Sequence, residues 1–62
     1  WEIPEEIMLG LKDKNVAVRE HSVRILFDIP KKPPVTDLQA ALKLETDPTV
    51  AKLLRLLMEQ IQ

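Results

Sequence analysis

The chain has 62 residues, of which 45% are hydrophobic and only 3% aromatic, and its formal net charge at pH 7 is −1. This length allows one domain, residues 1–62, and a domain of this size buries only about 60% of its unfolded surface, so it needs a dense aliphatic core or a partner. Interspersed acids and bases argue against non-specific nucleic-acid affinity, and no apolar run approaches the length of a membrane span.

The first predicted helix begins at Pro4, because proline is favoured at the first helical position, where its missing N–H costs nothing. The apolar side of this helix consists of Ile7, Met8 and Leu11. Gly10 weakens a helix by about 1 kcal/mol relative to alanine. Its presence therefore indicates a close approach of two helices.

The second predicted helix runs from Asn15 or Val16 to Asp28 or Ile29, after a turn whose polar side chains can cap it. An ordinary surface helix has one apolar stripe, but this helix has two groups of apolar or small positions on the helical wheel. The first group is Val18, Ser22, Ile25, Leu26 and Ile29, and the second is Val16, Val23 and Phe27. We expect neighbouring helices on both sides.

Pro30 ends the second helix, because a residue that precedes proline is pushed out of the helical region. Residues 30–34 form a stiff, proline-rich connector, which we interpret as a crossover between two helix pairs. Thr36 is the predicted N-cap of a third helix that ends at Leu44 or Glu45.

The fourth predicted helix has the strongest start signal, a capping residue in front of Pro48. Its apolar stripe follows the spacing i, i+3, i+4, i+7 and i+11 and consists of Val50, Leu53, Leu54, Leu57 and Ile61. Leu56 and Met58 lie off this stripe. Part of the helix is therefore expected to leave apolar surface uncovered.

The two halves of the chain repeat one pattern, a short helix, a tight acidic turn and a longer helix. An offset of 32 residues aligns Val18 with Val50 and Ile25 with Leu57. On this register the first repeat covers about 3–29 and the second about 35–61.

Residues 11–19, which read LKDKNVAVR, together with Ser22-Val23 and Ile25-Leu26, resemble the HEAT repeat, especially its bacterial and archaeal HEAT-like form. The resemblance implies an all-α fold, in which four helices form two antiparallel helical hairpins stacked as an α-solenoid. The second repeat matches loosely, since Ala51 stands where the arginine is expected and Leu54 where a small residue is expected.

Arg19 lies within the apolar arc of the second helix, where an arginine is costly unless it is paired. In the family that the chain resembles, the turn aspartate and this arginine tend to form a ladder of polar contacts. Carried over, the resemblance implies that Arg19 pairs with Asp13 or Asp47. The alternative is an arginine whose head group reaches water along its apolar stem.

No catalytic or metal-binding constellation is visible. His21 lies on the polar arc without companions at metal-ligand spacing and without a local nucleophile, so we interpret it as a surface histidine. Glu5 and Glu6 fit a first-turn helix-dipole role. No glycine-rich phosphate loop exists, because Gly10 is the only glycine. We therefore expect no enzyme and no cofactor.

The leading functional hypothesis is a non-catalytic protein–protein interaction or self-association module within a larger scaffold or regulatory protein. Its partner would be neighbouring repeats, another protein or a second copy, and no membrane is involved. The candidate partner-binding residues are Leu53, Leu56, Met58, His21 and Arg24. The alternative is nucleic-acid binding, which we regard as the weaker hypothesis. Its candidates are Lys12, Lys14, Arg24, Lys31 and Lys32.

The chain has no cysteine, which excludes disulfides and thiolate metal sites and fits a reducing compartment, so we expect a cytoplasmic protein. It opens with Trp1 instead of methionine, which indicates a fragment or a processed chain.

Overall fold

The computed structural model describes residues 3–61, which form four α-helices and no β-strand. Trp1, on which the fragment interpretation rests, lies outside the described residues. The helices are α1 (Glu5–Gly10), α2 (Val16–Asp28), α3 (Val35–Leu44) and α4 (Pro48–Ile61). The all-helical prediction and the number of helices are thus confirmed for this part of the chain.

Helix α2 has helices on two sides, as its two apolar groups predict, and shares the centre of the packing with α4. It packs against α1 and against α4, and α3 packs against α4. We call α1 with α2 the first pair and α3 with α4 the second pair. One aliphatic core joins the two pairs and consists of Leu11, Val23, Leu26, Leu38, Ala41, Val50, Leu54 and Leu57.

Helix α1 is short and lies very close to α2. It begins one residue later than predicted, because Pro4 has the extended ψ of 134° and occupies the N-cap position. Gly10 is buried against Ser22: a Cβ at position 10 would overlap Ser22 Oγ and lie 3.2 Å from Ser22 Cβ. The close helix approach predicted from Gly10 is confirmed.

Helix α2 ends as the sequence predicts, but its C-terminus is capped by an unforeseen side chain. Lys32 Nζ donates hydrogen bonds of 2.8 Å to the carbonyl oxygens of Leu26, Phe27 and Ile29. The ammonium group thereby satisfies carbonyls that the helix leaves without partners and complements the negative end of its dipole. The proline-rich connector therefore also holds the end of α2.

The predicted cap of α3 is wrong, whereas that of α4 is confirmed. Helix α3 begins at Val35, and the carbonyl of Pro34 accepts the Asp37 N–H at 3.0 Å, so Thr36 lies inside the first turn. Pro34 has the extended ψ of 140° and its carbonyl oxygen accepts an N–H of the first turn, so Pro34 occupies the N-cap position that we assigned to Thr36. At α4, Asp47 Oδ2 accepts the Val50 N–H at 2.9 Å.

Candidate interaction site

A buried ion pair joins the two helix pairs. Arg19, in the first turn of α2, donates from Nε to Glu45 Oε1 at 2.9 Å and to Oε2 at 3.2 Å. The Arg19 side chain is 15% exposed and that of Glu45 only 1% exposed. A carboxylate so deeply buried needs its full set of hydrogen bonds, because an unpaired buried charge is strongly destabilising.

The other hydrogen bonds of these two side chains are to backbone groups of the turns that precede α2 and α4. Arg19 Nη1 donates to the carbonyl oxygens of Asp13 at 2.7 Å and Lys14 at 3.0 Å. Glu45 Oε2 accepts the N–H groups of Thr46 at 3.1 Å and Asp47 at 2.9 Å. One guanidinium group therefore fixes the turn before α2, and through Glu45 it also fixes the turn before α4.

The predicted partners of Arg19 need correction. Its carboxylate partner is Glu45, not Asp13 or Asp47. Asp13 contributes only its carbonyl oxygen to Arg19, while its Oδ1 accepts the Asn15 N–H at 2.8 Å. The Asp47 carboxylate is used as the cap of α4. The sequence does not indicate Glu45 as the partner, because Glu45 was predicted to end the third helix. It lies two residues before Asp47, which caps α4.

An apolar groove lies between α1 and α3, which do not pack on each other within the described residues. Two neighbouring cavities, of about 310 and 280 Å³, share Leu11, Lys12 and Ala41 in their walls. Leu9 lines the first cavity and Leu44 the second, and they are 59% and 74% exposed. They are the most exposed large apolar side chains among the described residues.

The charged side chains around the groove are distributed unevenly. The first cavity is bordered by Glu5 and Asp37 and by Lys12. The second is bordered by Lys12 and Lys14 and by Asp13, while Arg19 and Glu45 neutralise each other in its wall. The groove is therefore acidic at the end where α1 and α3 begin and carries a net positive charge at the turns.

The residues proposed from the sequence as partner contacts lie on α2 and α4 and differ in exposure. Leu56 is exposed on α4, whereas Leu53 and Met58 are partly buried against the core. His21 is exposed on α2. Arg24 is exposed there too and donates to Glu20 Oε2 at 3.1 Å, one helical turn away.

The basic residues of the nucleic-acid alternative are also partly engaged. Lys32 binds three carbonyl oxygens at the end of α2, and Arg24 is paired with Glu20. Lys12, Lys14 and Lys31 are exposed. The side chains of the other three candidates therefore make no hydrogen bond or ion pair among residues 3–61.

Residues 3–61 contain no group of three or more His, Asp or Glu side chains placed to hold a metal ion. None of their helices has both the length and the apolar character needed to cross a bilayer.

The fold and the groove define a small all-helical module of four helices. No family model matches the chain, and no curated protein and no solved structure matches it significantly.

Proposed function

We propose that the protein is a non-catalytic protein–protein interaction module of two HEAT-like helical hairpins. Its setting would be cytoplasmic and its parent a larger scaffold or regulatory protein. The pairing of α1 with α2 and of α3 with α4, the contact of α2 with α4, and the Arg19–Glu45 ion pair between the pairs support the stacked arrangement.

The observation that carries the proposal is the groove between α1 and α3. Apolar side chains exposed together on a small protein are a common mark of a binding surface. Leu9 and Leu44 are the most exposed large apolar side chains among the described residues, and both line this groove.

The occupant that fits the groove is a short segment of another protein with apolar side chains and an acidic end. The apolar side chains would lie against Leu9, Leu11 and Leu44, and the acidic end would lie beside Lys12 and Lys14. Charge complementarity of this kind sets the orientation of a bound segment more than its affinity.

Nucleic-acid binding receives less support. Binding of nucleic acid requires several free basic side chains close together. Among the candidates, however, Lys32 is hydrogen-bonded to carbonyl oxygens at the end of α2 and Arg24 is paired with Glu20. The formal net charge of −1 opposes such a field as well.

Selection from a random peptide library displayed on phage tests the proposal. Peptides that bind the unmodified chain should share apolar residues followed by acidic ones. Their affinity should fall by about tenfold or more in Leu44→Asp and in Leu9→Asp, because burial of one leucine contributes about 1.5–3 kcal/mol. Leu56→Asp is the matched control, since Leu56 is exposed but lies outside the groove. Selected peptides that lose affinity only in Leu56→Asp would contradict the groove assignment.

A further inference from the structure

The two walls of the groove present matching helical faces. Each wall consists of four side chains at the spacing i, i+3, i+4 and i+7, which places them on one face of a helix. On the side of α1 and its following turn these are Glu5, Met8, Leu9 and Lys12, and on the side of α3 they are Asp37, Ala40, Ala41 and Leu44. Glu5 and Asp37 line the same cavity, so both walls begin at the same end of the groove.

The floor of the groove is apolar and continues from one cavity into the other. Leu11 and Ala41 line both cavities, and each is only 6% exposed. A segment that fills the groove therefore buries apolar side chains against this floor and against Leu9 and Leu44.

The groove offers no row of backbone partners to an extended segment. Both walls are helices, whose interior N–H and C=O groups are hydrogen-bonded within the helix. Residues 3–61 contain no β-strand, so an extended segment finds no sheet edge to pair with. Buried N–H and C=O groups without partners are strongly disfavoured. A segment buried in the groove must therefore satisfy its own backbone, and an α-helix does so within one short stretch.

A polyproline segment does not fit the walls either. Such segments keep their backbone solvated and dock in grooves lined by aromatic side chains. None of the described side chains that line the two cavities is aromatic. Phe27, the aromatic residue of α2, packs against the core instead. Of these three modes of peptide recognition, the groove matches the docking of a helix.

The two walls differ in height. Met8 and Leu9 stand on the α1 side, whereas the equivalent positions on α3 are Ala40 and Ala41. Helix axes pack about 8–10 Å apart, depending on the side chains at the contact, and small side chains allow the shorter distance. A bound helix can therefore approach α3 more closely than α1.

We propose that the groove binds one amphipathic α-helix of another protein, which lies along α1 and α3 with its axis closer to α3. The inference rests on the proposed function and adds the conformation and placement of the bound segment. From Glu5 to Lys12 the wall spans about two turns and the second cavity adds about one more, so the bound helix needs roughly 11 residues. Acidic side chains at one end lie beside Lys12 and Lys14, and a basic side chain at the other end lies beside Glu5 and Asp37.

Two peptide libraries displayed on phage test the conformation. Both hold peptides of about 14 residues with equal composition, but the first fixes apolar residues at i, i+3, i+4 and i+7 and the second at i, i+2, i+4 and i+6, the spacing of a strand. We expect binders to the unmodified chain from the first library, with affinity that falls in Leu44→Asp. Binders from the second library that are as tight and as sensitive to Leu44→Asp would overturn the helical conformation.

A proline scan of the tightest binder from the first library measures the helix directly. Proline at a central, solvent-facing position should weaken binding about a hundredfold relative to alanine there, because an interior proline breaks a helix. Proline at the first helical position should be tolerated. Equal affinities of the central-proline and central-alanine peptides would overturn the proposal.

The height of the α3 wall is tested by raising it. Ala40→Leu should weaken binding about tenfold although it adds apolar surface, because the larger side chain keeps the bound helix away from α3. Ala17→Leu is the matched control, since Ala17 is also an exposed helical alanine but lies outside the groove, and binding should stay unchanged. Leucine has nearly the helix propensity of alanine, so both variants should fold. Binding by Ala40→Leu that is equal or tighter would overturn the placement beside α3.

The outcome is separable from that of the proposed function. Binders that are sensitive to Leu44→Asp and Leu9→Asp but tolerate a central proline would keep the groove as the interaction site and overturn this inference alone. The absence of any groove-dependent binder from these libraries and from the random library would overturn both.

Discussion

The two helix pairs contribute unequally to the same core. The second pair supplies six of the buried apolar residues in the described part of the chain. The first pair, counted with the turn between α1 and α2, supplies three. The second pair therefore provides most of the buried apolar side chains. The second-pair residues are Leu38, Ala41, Val50, Ala51, Leu54 and Leu57, and the first-pair residues are Leu11, Val23 and Leu26. The first pair contributes Arg19 to the ion pair and the close Gly10–Ser22 contact instead. The two pairs therefore differ in how many buried apolar side chains each supplies to the core.

The largest expected effect comes from the pair of equivalent positions 57 and 25. Leu57→Ala should lower the free energy of unfolding by about 2–5 kcal/mol, because Leu57 is fully buried and a cavity would remain. Ile25→Ala should cost less than half as much, since Ile25 is only half-buried. Urea denaturation of both variants measures the difference. Equal losses would contradict the difference in burial between positions 57 and 25.

A smaller effect is expected where the first pair packs most closely. Gly10→Ala should lower the free energy of unfolding by up to about 2 kcal/mol, because overpacking costs about 1–3 kcal/mol and alanine returns about 1 kcal/mol of helix propensity. The added methyl group would meet Ser22. The same substitution in a Ser22→Ala background should cost less. Thermal unfolding of the original chain, the two single variants and the double variant checks the Gly10–Ser22 contact. A Gly10→Ala variant more stable than the original chain would contradict this contact.

The smallest effects should come from the helix caps, where the two pairs are most alike. Asn15→Ala and Asp47→Ala should each cost about 1 kcal/mol, since each side chain accepts one N–H at the start of its helix. Thr36→Ala should change stability by less than about 0.5 kcal/mol, because Thr36 is exposed inside the first turn of α3. Circular dichroism during urea unfolding distinguishes these outcomes. A loss at Thr36 as large as that at Asp47 would restore threonine as the cap.

The sequence predicts most of the fold because local signals set it. Prolines and capping side chains placed three of the four helix starts within a residue, and the wide apolar surface of α2 indicated two neighbours. The start of α3 was predicted wrongly because Pro34 and Thr36, two residues apart, can both occupy the N-cap position, and the structure has Pro34 there.

The candidate site was harder to predict because it depends on distance in space. Glu45 is 26 residues from Arg19, and nothing local to position 45 indicates that its side chain turns inward. The exposure of Leu9 and Leu44 follows from the separation of α1 and α3, which no periodicity in either helix reveals. The role of Lys32 likewise depends on how the connector folds back over the end of α2.

One ion pair, Arg19 with Glu45, fastens the first pair to the second. A double-mutant cycle with Arg19→Ala and Glu45→Gln measures the coupling between them directly, and glutamine keeps an acceptor for the turn N–H groups. We expect Arg19→Ala to cost about 3 kcal/mol and the coupling energy to reach about 1–3 kcal/mol. The exposed Glu20–Arg24 pair is the internal control, with an expected coupling below about 0.5 kcal/mol. A coupling between Arg19 and Glu45 no larger than that of the control pair would show that this ion pair does not hold the two helix pairs together.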